Sequence, residues 1–308
     1  MDRLQAMQVF RRIVELGGFG KAADDLKLPR ATVSLLIQQL EAHLGVQLLH
    51  RTTRQVRATL DGEAYYQRCG QLLDDLDDLE SSLSVQRSQP RGLLRVDMPI
   101  AFGCAWIVPR LPAFYRRYPQ LQLDIGFHDW QVHLQREGVD CAIRAGKIVD
   151  QGLVARPIVR LPQLTCASPG YLARAGVPQA PDDLANHQAI RFASGHGRFF
   201  PFEFEVAGQV HEMQLPGELT VNNADAYVAA CEAGFGLIQV PRYHVQRQLA
   251  EGTLVQVLGE HPVPLWPISA VYPPHRQLSP RVRVFIDWVV ELLQGVADEQ
   301  GALMERIQ

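Results

Sequence analysis

The chain has 308 residues, of which 47% are hydrophobic and 20% charged, and its formal net charge is −3. Those totals fit a soluble globular protein with two or three cores and exclude a disordered, highly charged chain. The opening MDRLQAMQVF lacks a long apolar core, and no run approaches the ~20 residues of a membrane span, so a cytoplasmic location is expected.

Charge is uneven along the chain. Residues 1–60 carry nine Lys/Arg against five acids, whereas residues 61–90 carry seven acids against Arg68 and Arg87. A basic head suits a phosphate-bearing partner. Within it, Leu4, Met7, Phe10, Ile13 and Val14 repeat at helical spacing and stop at Gly17-Gly18. A short helix with Ala22, Ala23 and Leu26 follows. Pro29 then opens a third helix, from about Arg30 to His43, with Val33, Leu36, Ile37, Leu40 and Leu44 facing inward and Gly45 ending it. The polar segment His50–Arg57 suits a β-hairpin. Three short helices and a basic hairpin in 60 residues predict a winged helix-turn-helix at residues 1–60.

A longer helix is predicted from Asp61. Tyr65, Cys69, Leu72, Leu76, Leu79 and Leu83 are spaced 4, 3, 4, 3 and 4 apart, a heptad seam flanked by Asp74, Asp75, Asp77, Asp78 and Glu80. Residues 61–90 thus read as a dimerisation helix and hinge, the other reading of the stripe being packing against the body of the same chain.

From residue 91 to about 300 strands and helices alternate. LLRVDM (93–98), LQLDIGF (121–127) and VDCAIRAG (139–146) read as strands, with helices at about Phe102–Tyr118 and Val132–Glu137 between them. This order predicts a mostly parallel α/β sheet. A second unit of the same kind is expected between 162 and 266, with a hairpin at 202–215. Strand PISAVY (267–272) and a helix from Pro280 to Gln294 would return to the first lobe, giving lobe I at 91–161 and 267–298. A cleft between two such lobes is a usual place for a small ligand.

Catalytic signatures are missing from the sequence. It has no G-x-S-x-G, no G-x-x-x-x-G-K-[ST] and no complete G-x-G-x-x-G, and its ten histidines form no H-E-x-x-H or Cys/His cluster. No cofactor, metal or catalytic residue is expected. The five cysteines form no C-x-x-C and read as reduced, partly buried thiols, with a redox pair left open.

The stretch from Phe10 to Tyr66 resembles the LysR-type transcriptional regulators. It carries Ala22-Ala23, Val33-Ser34, Leu40-Glu41, Leu44-Gly45-Val46, Leu48-Leu49, Arg51-Thr52 and Leu60-Asp61-Gly62-Glu63. The resemblance continues through GLLRVDMPIAFG (92–103), Phe114 to Pro119, DCAIRAG (140–146), residues 167–172 and AGFGLIQVP (233–241). It implies a periplasmic-binding-protein-like two-lobed effector domain behind the winged helix. The protein would be a homo-oligomer, a dimer or dimer of dimers, holding double-stranded DNA, with RNA polymerase as a further partner. A binding protein without DNA function, or an α/β enzyme, is the alternative.

A helix in the major groove reads base edges near its amino end, which assigns DNA contact to Arg30, Ala31, Thr32 and Ser34, with Arg51, Thr52 and Arg54 in the wing. Arg30 is read either as a guanine or as a phosphate contact. The sequence departs from the family at Pro29-Arg30-Ala31, where Ser-Gln-Pro is common, and at Leu35, where a basic residue is common. Gly20 stands where a capping Ser or Thr is usual, and Ala101 where a hydroxyl residue is. By the same resemblance a small-molecule effector meets Pro99, Ile100, Ala101 and Phe102, whose backbone N–H groups would hold a carboxylate. The facing wall would comprise Ala145, Gly146, Gly195, His196, Arg198, Phe199, Phe202, Asn223 and Asp225. Effector binding would shift the lobes and respace the DNA-binding heads.

Overall fold

A computed structural model describes residues 1–51, 56–83, 90–130, 132–148, 152–193, 199–274, 276, 279–299 and 304–306. The chain divides into two compact units: Met1–Ser88 with Leu278–Pro280, and Gln89–Gln277 with Arg281–Gln308.

In the first unit, α1 (Arg3–Leu16), α2 (Phe19–Leu26) and α3 (Arg30–Leu44) close around Phe10, Ile13, Val33, Ile37 and Leu40. Local chemistry sets their ends. The Asp2 carboxylate accepts from the Leu4 and Gln5 N–H groups at the start of α1, and Gly17 closes that helix at φ 68°. Gly45, at φ 74°, closes α3 by donating its N–H to the Glu41 carbonyl. Leu44, in that last turn, is exposed rather than inward.

Strands β1 (Leu49–Arg51) and β2 (Val56–Ala58) form the antiparallel wing, with Leu49 opposite Ala58. The Glu41 side chain fixes its base by accepting from the Leu48 and Leu49 N–H groups at 2.9 and 3.2 Å. Thr59 then starts α4 (Leu60–Leu83): its hydroxyl donates to the Gln47 carbonyl at 2.7 Å and accepts the Gly62 N–H at 2.9 Å. A Cβ on Gly62 would meet the Leu48 carbonyl oxygen, so only glycine permits this approach.

The heptad seam of α4 is divided between two surfaces. Tyr65 and Cys69, expected at a dimer interface, turn into the head's own core. Tyr65 packs edge-on to Phe10 at 5.5 Å, and the Cys69 thiol, 1% exposed, donates to the Met7 carbonyl at 3.7 Å. Leu73, outside the seam, joins them. Heptad spacing marks an apolar stripe but not its partner, and here α1 covers the first turns. Leu72 and Leu79 are exposed, Leu76 is half-buried, and the Leu83 side chain lies outside the described residues.

The second unit begins with β3 (Gly92–Met98) and α5 (Ile100–Phe102). The helical path continues through a π turn, Gly103–Ile107, and a 3-10 turn, Val108–Arg110, into α6 (Leu111–Arg117). One continuous helix was expected here; Pro109 and Pro112 lack the N–H groups it needs. Then come β4 (Leu121–Phe127), α7 (Leu134–Glu137), β5 (Cys141–Ala145) and β6 (Val154–Leu161). The second lobe holds β7 (Gln163–Ala167), α8 (Pro169–Ala175), β8 (Arg191–Phe192), β9 (Phe202–Val206), β10 (Gln209–Met213), β11 (Thr220–Val221), α9 (Ala224–Glu232), β12 (Ile238–Pro241), α10 (Gln246–Glu251) and β13 (Val255–Val257). The chain returns to the first lobe as β14 (Trp266–Tyr272), α11 (Pro280–Glu299) and β15 (Glu305–Arg306).

The first-lobe sheet has the order β15-β6-β14-β5-β3-β4. Only β4, β3 and β5 run parallel; β14 is antiparallel to β5 and β6, and β15 to β6. The expectation of a mostly parallel sheet therefore holds for half of it. β14 arrives from the second lobe without a crossover helix, so nothing imposes the parallel sense. In the second lobe, β7 is flanked antiparallel by β12 and β13, which replaces the expected second parallel unit. Among the described residues, no helix is long and apolar enough to cross a membrane.

Gly62→Ala should destabilise the first unit by about 1–3 kcal/mol through overpacking. All four tryptophans (Trp106, Trp130, Trp266, Trp288) belong to the second unit, so their fluorescence transition in urea should stay unchanged. Far-UV circular dichroism of the same samples should show an earlier loss of helix.

Candidate DNA-reading surface and ligand cavity

The amino end of α3 stands open. Pro29 occupies its cap position without a capping side chain, and the first backbone bond of the helix runs from the Val33 N–H to the Pro29 carbonyl. Arg30 and Ala31 are exposed, Thr32 and Ser34 half-buried, and Leu35 is exposed beside them. The Arg30 guanidinium lies 3.9 Å from Asp24 and is three-quarters exposed. Gly20 is not the cap of α2: Gly18 is, and Gly20 sits in the first turn beneath the Arg30 guanidinium. The brace between α1 and α2 is Arg12, which pairs with Glu15 at 2.7 Å and Asp25 at 2.6 Å. Arg51 lies at the end of β1 opposite Val56; Thr52 and Arg54 fall outside the described residues.

Between the lobes of the second unit lies a cavity of about 150 Å³. The carboxyl ends of β3, β4 and β5 supply one wall, through Pro99, Phe102, Trp130 and Ala145. Phe202 and Tyr243 belong to the facing lobe, with Phe200 packed edge-on against Trp266 at 5.4 Å. The rims of parallel strands leave such a hollow, and these residue types make it apolar.

Of the residues expected here, Pro99, Phe102, Ala145 and Phe202 line the cavity. Ile100 contributes its N–H, but to a protein carboxylate. Ala101 is half-buried and Gly146, at φ 89°, backs against Trp266; neither forms wall. Phe199 does not line it either: the Arg191 guanidinium covers its ring at 4.9 Å, and its neighbour Phe200 takes the inward place. Asp225 is exposed on α9, away from the cavity, because the inward position at that helix start is Ala224. Gly195, His196 and Arg198 fall outside the described residues.

Asp129, on the loop after β4, has the role expected of an effector carboxylate. Its Oδ1 accepts the Ile100 N–H at 3.1 Å from the first lobe. Its Oδ2 accepts the Ala224 N–H at 2.9 Å and the Asn223 Nδ2 at 3.2 Å from the second. Asn223 is thereby oriented twice, since its Oδ1 also caps α9 by accepting the Ala226 N–H. Sequence reading missed Asp129 because its partners lie 29 to 95 positions away.

Beside it, buried Asp97 accepts from Arg144 Nη1 and pairs with His128 Nδ1, each at 2.5 Å. Arg144 is only 7% exposed, and its Nη2 is buried with no partner among the described residues. Across the cavity, both ring nitrogens of His244 are likewise buried and unpartnered. Burial pushes the His244 imidazole down to about 4, so it is neutral at pH 7. Burial also raises the Tyr243 and Tyr227 hydroxyls, which stay protonated. The wall is therefore largely aromatic, with the Arg144 Nη2 and the His244 nitrogens enclosed behind it, an arrangement suited to binding. The thiols are buried except Cys104; Cys231 donates to the Gly236 carbonyl at 3.3 Å, and the hydrogen bond with Cys231, together with burial, holds the Cys166 thiol protonated.

A winged helix with an open reading helix, joined to a two-lobed ligand cleft, defines the class of ligand-responsive DNA-binding regulators. Comparison with known proteins gives the family. Residues 4–63 match the family model for bacterial regulatory helix-turn-helix proteins of the lysR family, and residues 87–294 match the LysR substrate binding domain. The uncharacterized HTH-type transcriptional regulator YhjC of Escherichia coli K12 is 40% identical over 300 residues, spanning 97% of this chain and 100% of its own. The structure of CrgA, a LysR-type regulator from Neisseria meningitidis, has 31% identity and a TM-score of 0.55, covering 93% of this chain and 97% of its own. Full-length AphB, a virulence activator of Vibrio cholerae, has 26% identity and a TM-score of 0.55, covering 94% and 98%. The chain belongs to the LysR family: it is a DNA-binding transcriptional regulator with an effector-binding domain.

A histidine whose ionisation is suppressed on folding makes stability depend on pH. The unfolded ring titrates near 6.5 and the folded one near 4, so the unfolded chain binds more protons between those values. Stability of the second unit should therefore fall as pH drops through that window, by up to about 1.4 kcal/mol per pH unit from this group. Tryptophan-monitored urea titrations should show that slope diminished in His244→Gln.

Proposed function

We propose that the head binds its operator through the amino end of α3, with Arg30, Ala31, Thr32 and Ser34 at base edges or phosphates. Arg51, Thr52 and Arg54 of the wing act on the adjacent backbone. The observation that carries this reading is the uncapped, exposed start of α3, where the Arg30 guanidinium is three-quarters exposed. An effector occupies the cavity between the lobes, and its binding changes the population of lobe arrangements. Self-association into a dimer or dimer of dimers draws on the exposed Leu72 and Leu79 of α4. In this reading the protein works in the cytoplasm, contacts RNA polymerase at its promoters and performs no catalysis.

Arg30→Ala tests the assignment. A guanine contact predicts a loss of about 1–3 kcal/mol on the cognate operator with relaxed preference at one base pair. Uniform weakening across sequences, with a shallower salt dependence, would make Arg30 a phosphate contact. Unchanged operator affinity would remove α3 from the interface. Footprints with and without a compound that stabilises the second unit test the effector half of the reading.

A further inference from the structure

We infer that Asp129 is a built-in occupant of the acid-binding position, and that it restricts the effector to uncharged, single-ring compounds. This rests on the reading that the cavity is the effector site. Three donors from two lobes converge on one carboxylate: the Ile100 N–H, the Ala224 N–H and Asn223 Nδ2. They are the groups that an effector acid would need, and the chain supplies its own acid to them. A second carboxylate brought alongside would face a like charge in a partly desolvated hollow, which strongly opposes its ionised form.

Among the described residues, the rest of the lining also favours an uncharged ligand. Arg144 is already paired with Asp97 through Nη1, and its Nη2 is enclosed with no partner among the described residues. Both ring nitrogens of neutral His244 are likewise enclosed, with no partner among the described residues. Neither enclosed group offers an incoming anion a contact, so a ring bearing a neutral substituent suits the hollow better than one bearing a carboxylate. Trp130, Trp266, Phe200 and Tyr243 supply ring faces and edges around it. A volume of about 150 Å³ matches one six-membered ring, since an apolar cavity of roughly that size holds benzene.

Two measurements on the full chain test this. In Asp129→Gly the vacated donors should accept formate or acetate, raising the melting temperature of the tryptophan-reported transition by about 3 °C over chloride at equal ionic strength. Wild type and Asp129→Asn, in which the position stays filled, should show no such rise. Separately, wild type should bind benzamide at least tenfold tighter than benzoate by tryptophan quenching, and Asp129→Asn should narrow that gap. The second measurement stands if Asp129→Gly fails to fold. Equal benzamide and benzoate affinity in wild type, or an identical formate response in wild type and Asp129→Gly, would overturn the inference. If formate rescues Asp129→Gly but ring compounds that bind leave operator footprints unaltered, the role of Asp129 stands and the cavity as effector site falls.

Discussion

The second unit depends on one carboxylate that belongs to neither facing wall alone. Asp129 hangs from the end of β4 and accepts hydrogen bonds from the backbone of both lobes. Charge-assisted bonds of this kind are about twice as strong as neutral ones, and their removal would leave buried N–H groups unsatisfied. The separation of the lobes, and with it the width of the aromatic hollow, follows from where that side chain can reach.

A comparable constraint governs the head, where backbone rather than charge sets the geometry. Gly62 allows α4 to lie on the Leu48 carbonyl, while Glu41 and Thr59 satisfy the backbone at the wing's base. The long helix is thus anchored to the core that orients α3. Cys69 and Leu73 complete the anchor. On the other side of the same helix Leu72 and Leu79 are exposed.

Local signals in the sequence were sufficient for the helices of the head, because apolar spacing and the glycines at 17 and 45 act within a few residues. They were sufficient for β3, β4 and β5 for the same reason. What was not legible depends on distant partners. The direction of β14 follows from its entry out of the other lobe, and β6 escaped notice because Pro157 interrupts its strand pattern at a bulge against β14. Phe199 and Phe200 are adjacent and chemically alike, and only the path of the chain decides which turns inward. Asp129 carries no motif at all. The buried Arg144, by contrast, stood in an otherwise apolar strand and was a readable sign of an internal ion pair.

The most direct measurement of the central claim is amide hydrogen exchange at Ile100 and Ala224, resolved residue by residue in wild type and Asp129→Ala. The account requires both amides to be protected in wild type and both to exchange faster together in the variant, because one carboxylate holds them. Acceleration at one amide only, or at neither, would contradict the tie between the lobes.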